Sequence, residues 1–310
     1  MGEAVTVREV GPRDGLQMAA TRMATADKQR WIAAIAAAGL PEIEVGSFVP
    51  PRVIPQMADT DAVLRASVGL GGPHGGPVLV ALVPNLRGAQ AALAAGAGKI
   101  TIPVSVSEGH SRANINKTPD EQIAEVARIA EWMRGQDRPV PVEAACSTAF
   151  GCSIDGVVPL DAVLRVAEGL AAAGADTIAL ADTVGYANPA QIRRTVRAVR
   201  AAIGARLERL HLHDTMGLGI ANALAGLDEG IRAFDSCIGG LGGCPYAPGA
   251  SGNIVTEDLV FMLESMGHAT GIDFDRLLEA RAILHAALPD EPIHGQMPKA
   301  GLPRTFRRAA

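Results

Sequence analysis

The 310 residues predict a (β/α)8 TIM barrel with a short C-terminal helical extension. Three observations carry this reading. Short Val, Ile and Leu runs alternate with Ala-rich helical stretches along the whole length, the pattern of parallel βαβ units. Eight such pairs favour a closed barrel over an open doubly wound sheet, and the length suits one barrel with an appendage. Polar residues able to do chemistry fall just beyond successive strands, on the rim where barrel enzymes build their sites.

In chain order, the first strand is expected at residues 5–10, where Val5, Val7 and Val10 mark it, with a helix at 26–38. The second strand, 42–46, precedes a helix at 60–67, and the third, 78–83, precedes one at 86–95. The fourth strand spans 100–106 and its helix 120–134; the fifth spans 140–145 and its helix 160–173. Strand six at 177–181 leads to a helix at 189–203, and strand seven at 210–213 to one at 220–230. Strand eight at 233–238 is followed by a Gly-rich segment and a helix at 254–266. The barrel thus covers about residues 5–270. A helix at 273–287 and a basic, Pro-bearing tail form the extension, about 271–310, within one domain.

Composition narrows the function. Hydrophobic residues make up 48% and aromatics only 3%, so Ala, Val, Leu and Ile must build the core. The net charge is −5, and no basic stripe occurs apart from Arg304, Arg307 and Arg308, which argues against a nucleic-acid partner. The longest apolar runs, such as residues 31–40, fall far short of the ~18–20 residues of a membrane span. Four cysteines with no C-x-x-C pair and no secretory leader imply reduced thiols in a cytoplasm. Only four lysines against many arginines, with abundant Ala and Gly, fit a GC-rich bacterial coding bias. The opening residues match the loose pattern M-G-x-x-x-T of myristoylation, but Val5, Val7 and Val10 read better as a strand.

Among rim residues, His211 and His213 stand two apart on one short strand, so both imidazoles face the barrel mouth. Alone, such a pair either binds a divalent cation or bonds nearby carboxylates. Asp14 and Asn253 end neighbouring strands once strand eight closes on strand one. Two imidazoles completed by carboxylate and amide oxygens, with no thiolate pair, favour Mg2+ or Mn2+ over structural Zn2+. A Schiff-base lysine is not available: Lys99 precedes its strand, Lys28 and Lys117 belong to helices, and Lys299 is in the tail. Any carbanion made here therefore needs a metal or a cationic stabiliser. The glycines at 239, 240, 242 and 243, followed by Cys244, form either a connecting loop or a mobile lid; their place at the rim argues for the lid. Cys244 there is a proton donor or acceptor, or a packing cysteine. Cys146, Cys152 and Cys237 read as core residues.

Five motifs resemble those of 3-hydroxy-3-methylglutaryl-CoA lyases: residues 10–17 (VGPRDGLQ), 44–49 (EVGSFV), 55–59 (PQMAD), 211–215 (HLHDT) and 240–246 (GLGGCPY). Asn114-Ile115-Asn116 and Ser251-Gly252-Asn253 extend the match, which runs from about residue 5 to 270. The first and last of the five are highly specific; H-x-H-D-T is shared with Claisen-type synthases. The resemblance implies a metal held by Asp14, His211, His213 and Asn253. It implies Arg13 as the enolate stabiliser, Glu44 as its orienting partner and Cys244 as a lid cysteine in proton transfer. Gln17, Ser47, Asn116, Asp182 and Thr183 become candidate substrate contacts. The implied reaction is retro-Claisen cleavage of a tertiary-hydroxy acyl-CoA thioester, in a homodimer or homotetramer.

The chain departs from the family on its rim. Met18-Ala19-Ala20 replaces the usual Asn-Glu-Lys, Gly109-His110 follows Ser107-Glu108 where an aromatic is usual, and Ser153-Ile154 follows Cys152 in place of Pro-Tyr. Ala145 stands where a tyrosine commonly faces the substrate. An altered acyl group follows as an expectation, citramalyl-CoA being the alternative substrate. His110 is expected in a solvated loop rather than on the substrate. A synthase would usually carry a further C-terminal regulatory region, for which 310 residues leave no room.

Overall fold

The structure is a computed structural model and describes residues 3–242 and 252–308. Its strands are β1 (Thr6–Glu9), β2 (Glu42–Ser47), β3 (Val78–Leu82), β4 (Lys99–Ser105), β5 (Val142–Ser147), β6 (Thr177–Asp182), β7 (Leu207–Leu212) and β8 (Ala233–Ser236). They close into a barrel in sequence order, and β8 pairs in parallel with β1. Expected and observed strands coincide, with shifts of at most three residues at their ends.

The helices are α1 (Thr25–Ala37), α2 (Thr60–Ser67), α3 (Leu86–Ala95), α4 (Glu108–Ile115), α5 (Pro119–Arg134), α6 (Leu160–Ala172), α7 (Pro189–Ile203), α8 (Gly219–Asp228), α9 (Thr256–Ser265), α10 (Phe274–Ala287) and α11 (Met297–Ala300). α5 shows why its boundary was legible. Thr118 accepts the Glu121 N–H, Glu121 answers to the Thr118 N–H, and Pro119 occupies the first turn. α4 was not expected. Ser107 caps it through the His110 N–H at 3.2 Å, and Asn116 ends it in the left-handed conformation. Only eight residues long, with Gly109 inside, it lacks the propensity and length that mark a helix in sequence.

The core between strands and helices is aliphatic, as the composition requires, and among the described residues Trp31 and Phe234 are its fully buried aromatics. The barrel interior is different. Inward positions near the strand starts carry Arg8, Glu42, Lys99, Glu143, Arg209 and Asp235, interlocked by ion pairs. Arg209 and Glu143 are wholly buried. This ionic layer floors the barrel beneath the mouth.

The extension returns to the barrel top. α10 packs on α1. Beyond it, the Glu291 carboxylate accepts the N–H groups of Ala20 and Thr21, and the His294 N–H bonds Gly239 O at 2.7 Å. Asp258 accepts the Gln296 and Met297 N–H groups. The tail therefore ties the loop after β1 to the loop after β8.

Candidate active site and metal centre

The chain leaves β1 through a π-helical turn, Gly11–Gly15, in which the Asp14 and Gly15 N–H groups both reach Val10 O. Such turns are rare and recur at functional sites. Gly11 is needed here: a side chain would meet the Trp31 ring at 2.8 Å and the Glu9 carboxylate at 2.5 Å. Glu9, wholly buried, accepts the Gly11 N–H at 2.9 Å, the Ile238 N–H at 3.0 Å and the Thr256 hydroxyl at 2.7 Å. One carboxyl group thus links the loops after β1 and β8. Burial pushes Glu9 up to about 8, against the opposing pull of those hydrogen bonds.

The turn projects Arg13 and Asp14 into the mouth. Arg13 donates through Nε to Glu44 Oε2 at 2.8 Å and through Nη2 to the same carboxylate at 2.7 Å, and it also bonds Asp14. Glu44 comes from β2 and is wholly buried; burial raises its pKa although Arg13 and Arg8 pull it down. Asp14 is likewise desolvated, yet Arg13, His213 and His211 hold it well below the usual carboxylate range.

Asp14, His211 and His213 offer ligand atoms that lie within 4.8 Å of one another. His211 Nε2 faces His213 Nε2 at 3.1 Å, with Asp14 Oδ2 at 3.8 Å and 3.5 Å from them. Asn253, bridged by backbone to His213, donates Nδ2 to Asp14 Oδ2 at 2.7 Å. Its Oδ1 is buried without a hydrogen-bond partner among the described residues. An orphan amide oxygen beside two facing imidazole nitrogens and a carboxylate is a donor set that fits a hard or borderline divalent cation.

The other expected residues have local duties. Ser47 Oγ accepts the Val49 N–H, and Asp182 accepts the Tyr186 and Ala187 N–H groups. Thr183 Oγ1 accepts the N–H of Thr148, a β-branched residue held at φ +58° where β5 ends. Gln17 is half-buried just beyond the π-helical turn, and Asn116 is exposed at the end of α4. Cys244 lies outside the described residues. The free cysteines 146, 152 and 237 are buried, as expected. His110 corrects its expectation: it is 4% exposed, bonded through Nδ1 to Ser105 Oγ at 2.8 Å, because α4 folds it against β4.

Sequence reading missed Asp235. It is the register partner of His211 and reaches its Nδ1 at 3.0 Å, while Arg8 and Arg209 bind it from the floor. The available signal was charge at alternate positions inside short apolar strands: Arg8, Glu143, Arg209 and Asp235.

A closed parallel barrel with this cluster at its mouth is the arrangement of a (β/α)8 enzyme with a candidate cation site on its rim. Comparison with known proteins makes the assignment specific: the family model described as HMGL-like matches residues 4–284, and the chain belongs to that family. It is 42% identical to a hydroxymethylglutaryl-CoA lyase of Bacillus subtilis over 276 residues, 89% of this chain and 90% of the relative. It is 41% identical to an (R)-citramalyl-CoA lyase of Chloroflexus aurantiacus over 305 residues, 96% of this chain and 95% of the relative. An HMG-CoA lyase structure from Acinetobacter baumannii, in complex with coenzyme A and 3-methylmalate, superposes with a TM-score of 0.90 at 39% identity, covering 98% of this chain and 97% of that one. The chain is a carbon–carbon lyase of this family. Among the described residues, no helix is long and apolar enough to cross a membrane.

Proposed function

We propose that this chain cleaves 3-hydroxy-3-methylglutaryl-CoA to acetyl-CoA and acetoacetate with Mg2+ or Mn2+ held by Asp14, His211, His213 and Asn253. The observation that carries it is Arg13, fixed by Glu44 within contact of Asp14 at the cation site. When bound, the cation supplies Lewis acidity that eases loss of a proton from a tertiary hydroxyl. Asp14 or a water takes that proton, the hydroxyl carbon becomes a ketone, and the carbon–carbon bond breaks to release the acyl-CoA enolate. Arg13 places fixed charge on the enolate oxygen, with Glu44 setting its orientation. Cys244 returns a proton to the enolate carbon. Gln17, Ser47, Asn116, Asp182 and Thr183 are assigned to the substrate wall, and the setting is a bacterial cytoplasm, with the chain as a homodimer or homotetramer.

A second substrate is supported by a relative. The 41% identical Chloroflexus protein is named for citramalyl-CoA, whose acyl group is one methylene shorter than that of HMG-CoA. Alternation from Glu143 makes Ala145 inward-facing, with Pro103 and Ala179 paired to it, so this side of the mouth is where an altered acyl group would be accommodated. Purified protein with Mn2+ should be offered a panel of tertiary-hydroxy acyl-CoA esters. Cleavage of HMG-CoA as the best substrate supports the first reading, preference for citramalyl-CoA supports the second, and no cleavage of any ester sinks both.

A further inference from the structure

We infer that Asp235 is a positioning residue that presents His211 to the cation, and that Arg8 and Arg209 are the frame that keeps Asp235 in place. The inference rests on the metal reading above. The His211 ring has two nitrogens with different surroundings. Nε2 faces His213 and Asp14, whereas Nδ1 lies 3.0 Å from Asp235 Oδ2. Asp235 takes a two-pronged grip from Arg8, Nε to Oδ1 and Nη2 to Oδ2, both at 2.8 Å, and a third bond from Arg209 at 3.3 Å. A carboxylate bonded in this way offers only lone pairs to the imidazole. The hydrogen must therefore sit on Nδ1, which leaves the Nε2 lone pair turned toward the cation site.

The frame is built to resist movement. Arg8 also bonds Glu143 at 2.7 Å, and Arg209 bonds Glu42 at 2.6 Å, so neither guanidinium is free to follow a swing of Asp235. Asp235 is 2% exposed, so water does not substitute for its contacts. Among the described residues His213 has no equivalent: its Nδ1 is buried without a hydrogen-bond partner there. The two histidines are thus unequal, and His211 is the one whose ring orientation and tautomer are fixed from below.

Two measurements test this. In protein labelled with nitrogen-15 at histidine and stripped of metal, long-range proton–nitrogen correlation should show His211 as the Nδ1–H tautomer; an Nε2–H tautomer overturns the inference. Asp235→Asn should weaken Mn2+ binding about 10- to 100-fold, read by calorimetry on protein with an unchanged circular dichroism spectrum. Lys99→Met, which removes another member of the ionic floor, should leave Mn2+ binding within about twofold of the parent if Asp235 acts through His211. Parent-like affinity in folded Asp235→Asn, or an equal loss in Lys99→Met, refutes the positioning role. If Asp235→Asn does not fold, the tautomer decides. Absence of Mn2+ binding to the unmodified protein refutes the metal reading instead, and the tautomer still reports on the Asp235 contact.

Discussion

Arg13→Gln removes a guanidinium that Glu44 holds in one orientation, while leaving Asp14 and the histidines in place. The expected outcome is a fall in kcat of about 10²- to 10³-fold, the usual cost of deleting one oxyanion donor. Mn2+ affinity, measured separately, should change little; a large loss of metal would make Arg13 a structural partner of Asp14 instead. At this scale much of the site was legible. Asp14, His211, His213 and Asn253 were picked out because Asp14 and His213 fall just beyond strands, His211 stands two residues before His213 on β7, and closure of strand eight on strand one brings Asn253 alongside. Asp235 does not, since an Asp inside a four-residue strand reads as a strand-end polar group until the closed barrel brings Arg8 and Arg209 onto it. His110 misled for the converse reason: its neighbours in sequence are polar, but α4 carries it under cover.

The two loops that carry Asp14 and Asn253 are coupled through Glu9. Its folded pKa, about 8, lies above its unfolded value, so the native state binds a proton the unfolded chain releases. Stability from this group is therefore full at acid pH and is lost as pH rises from about 4.5 toward 8. Glu9→Gln keeps an acceptor oxygen for the Gly11 and Ile238 N–H groups, puts an amide where Glu9 accepts the Thr256 hydroxyl, and does not ionise. Its melting temperature should fall less than the parent's between pH 5 and pH 8; identical pH slopes would show that Glu9 does not titrate in that window. Elements with a strong period or cap, such as α5 and the eight strands, were legible from sequence. The π-helical turn was not, because its spacing depends on Gly11 slipping past Trp31, a contact made by residues 20 apart.

For the whole molecule, the proposed ligands come from opposite ends of the chain, Asp14 from the loop after β1 and Asn253 from the segment after β8. A cation bound among them binds the folded chain only, and at a hundred times its Kd should stabilise it by about 2.7 kcal/mol. EDTA should therefore abolish turnover and lower the melting temperature together, and Mn2+ or Mg2+ should restore both. Full activity in EDTA would overturn the metal dependence. Ala145 and its small neighbours are visible in sequence, but only barrel closure sets them opposite the charged half of the mouth.

The ionic floor has one more consequence. With Arg8, Glu143, Arg209 and Asp235 ion-paired across the barrel, charged side chains rather than open space lie beneath the proposed cation site. On the reading proposed above, substrate therefore reaches the site from the mouth and not through the floor.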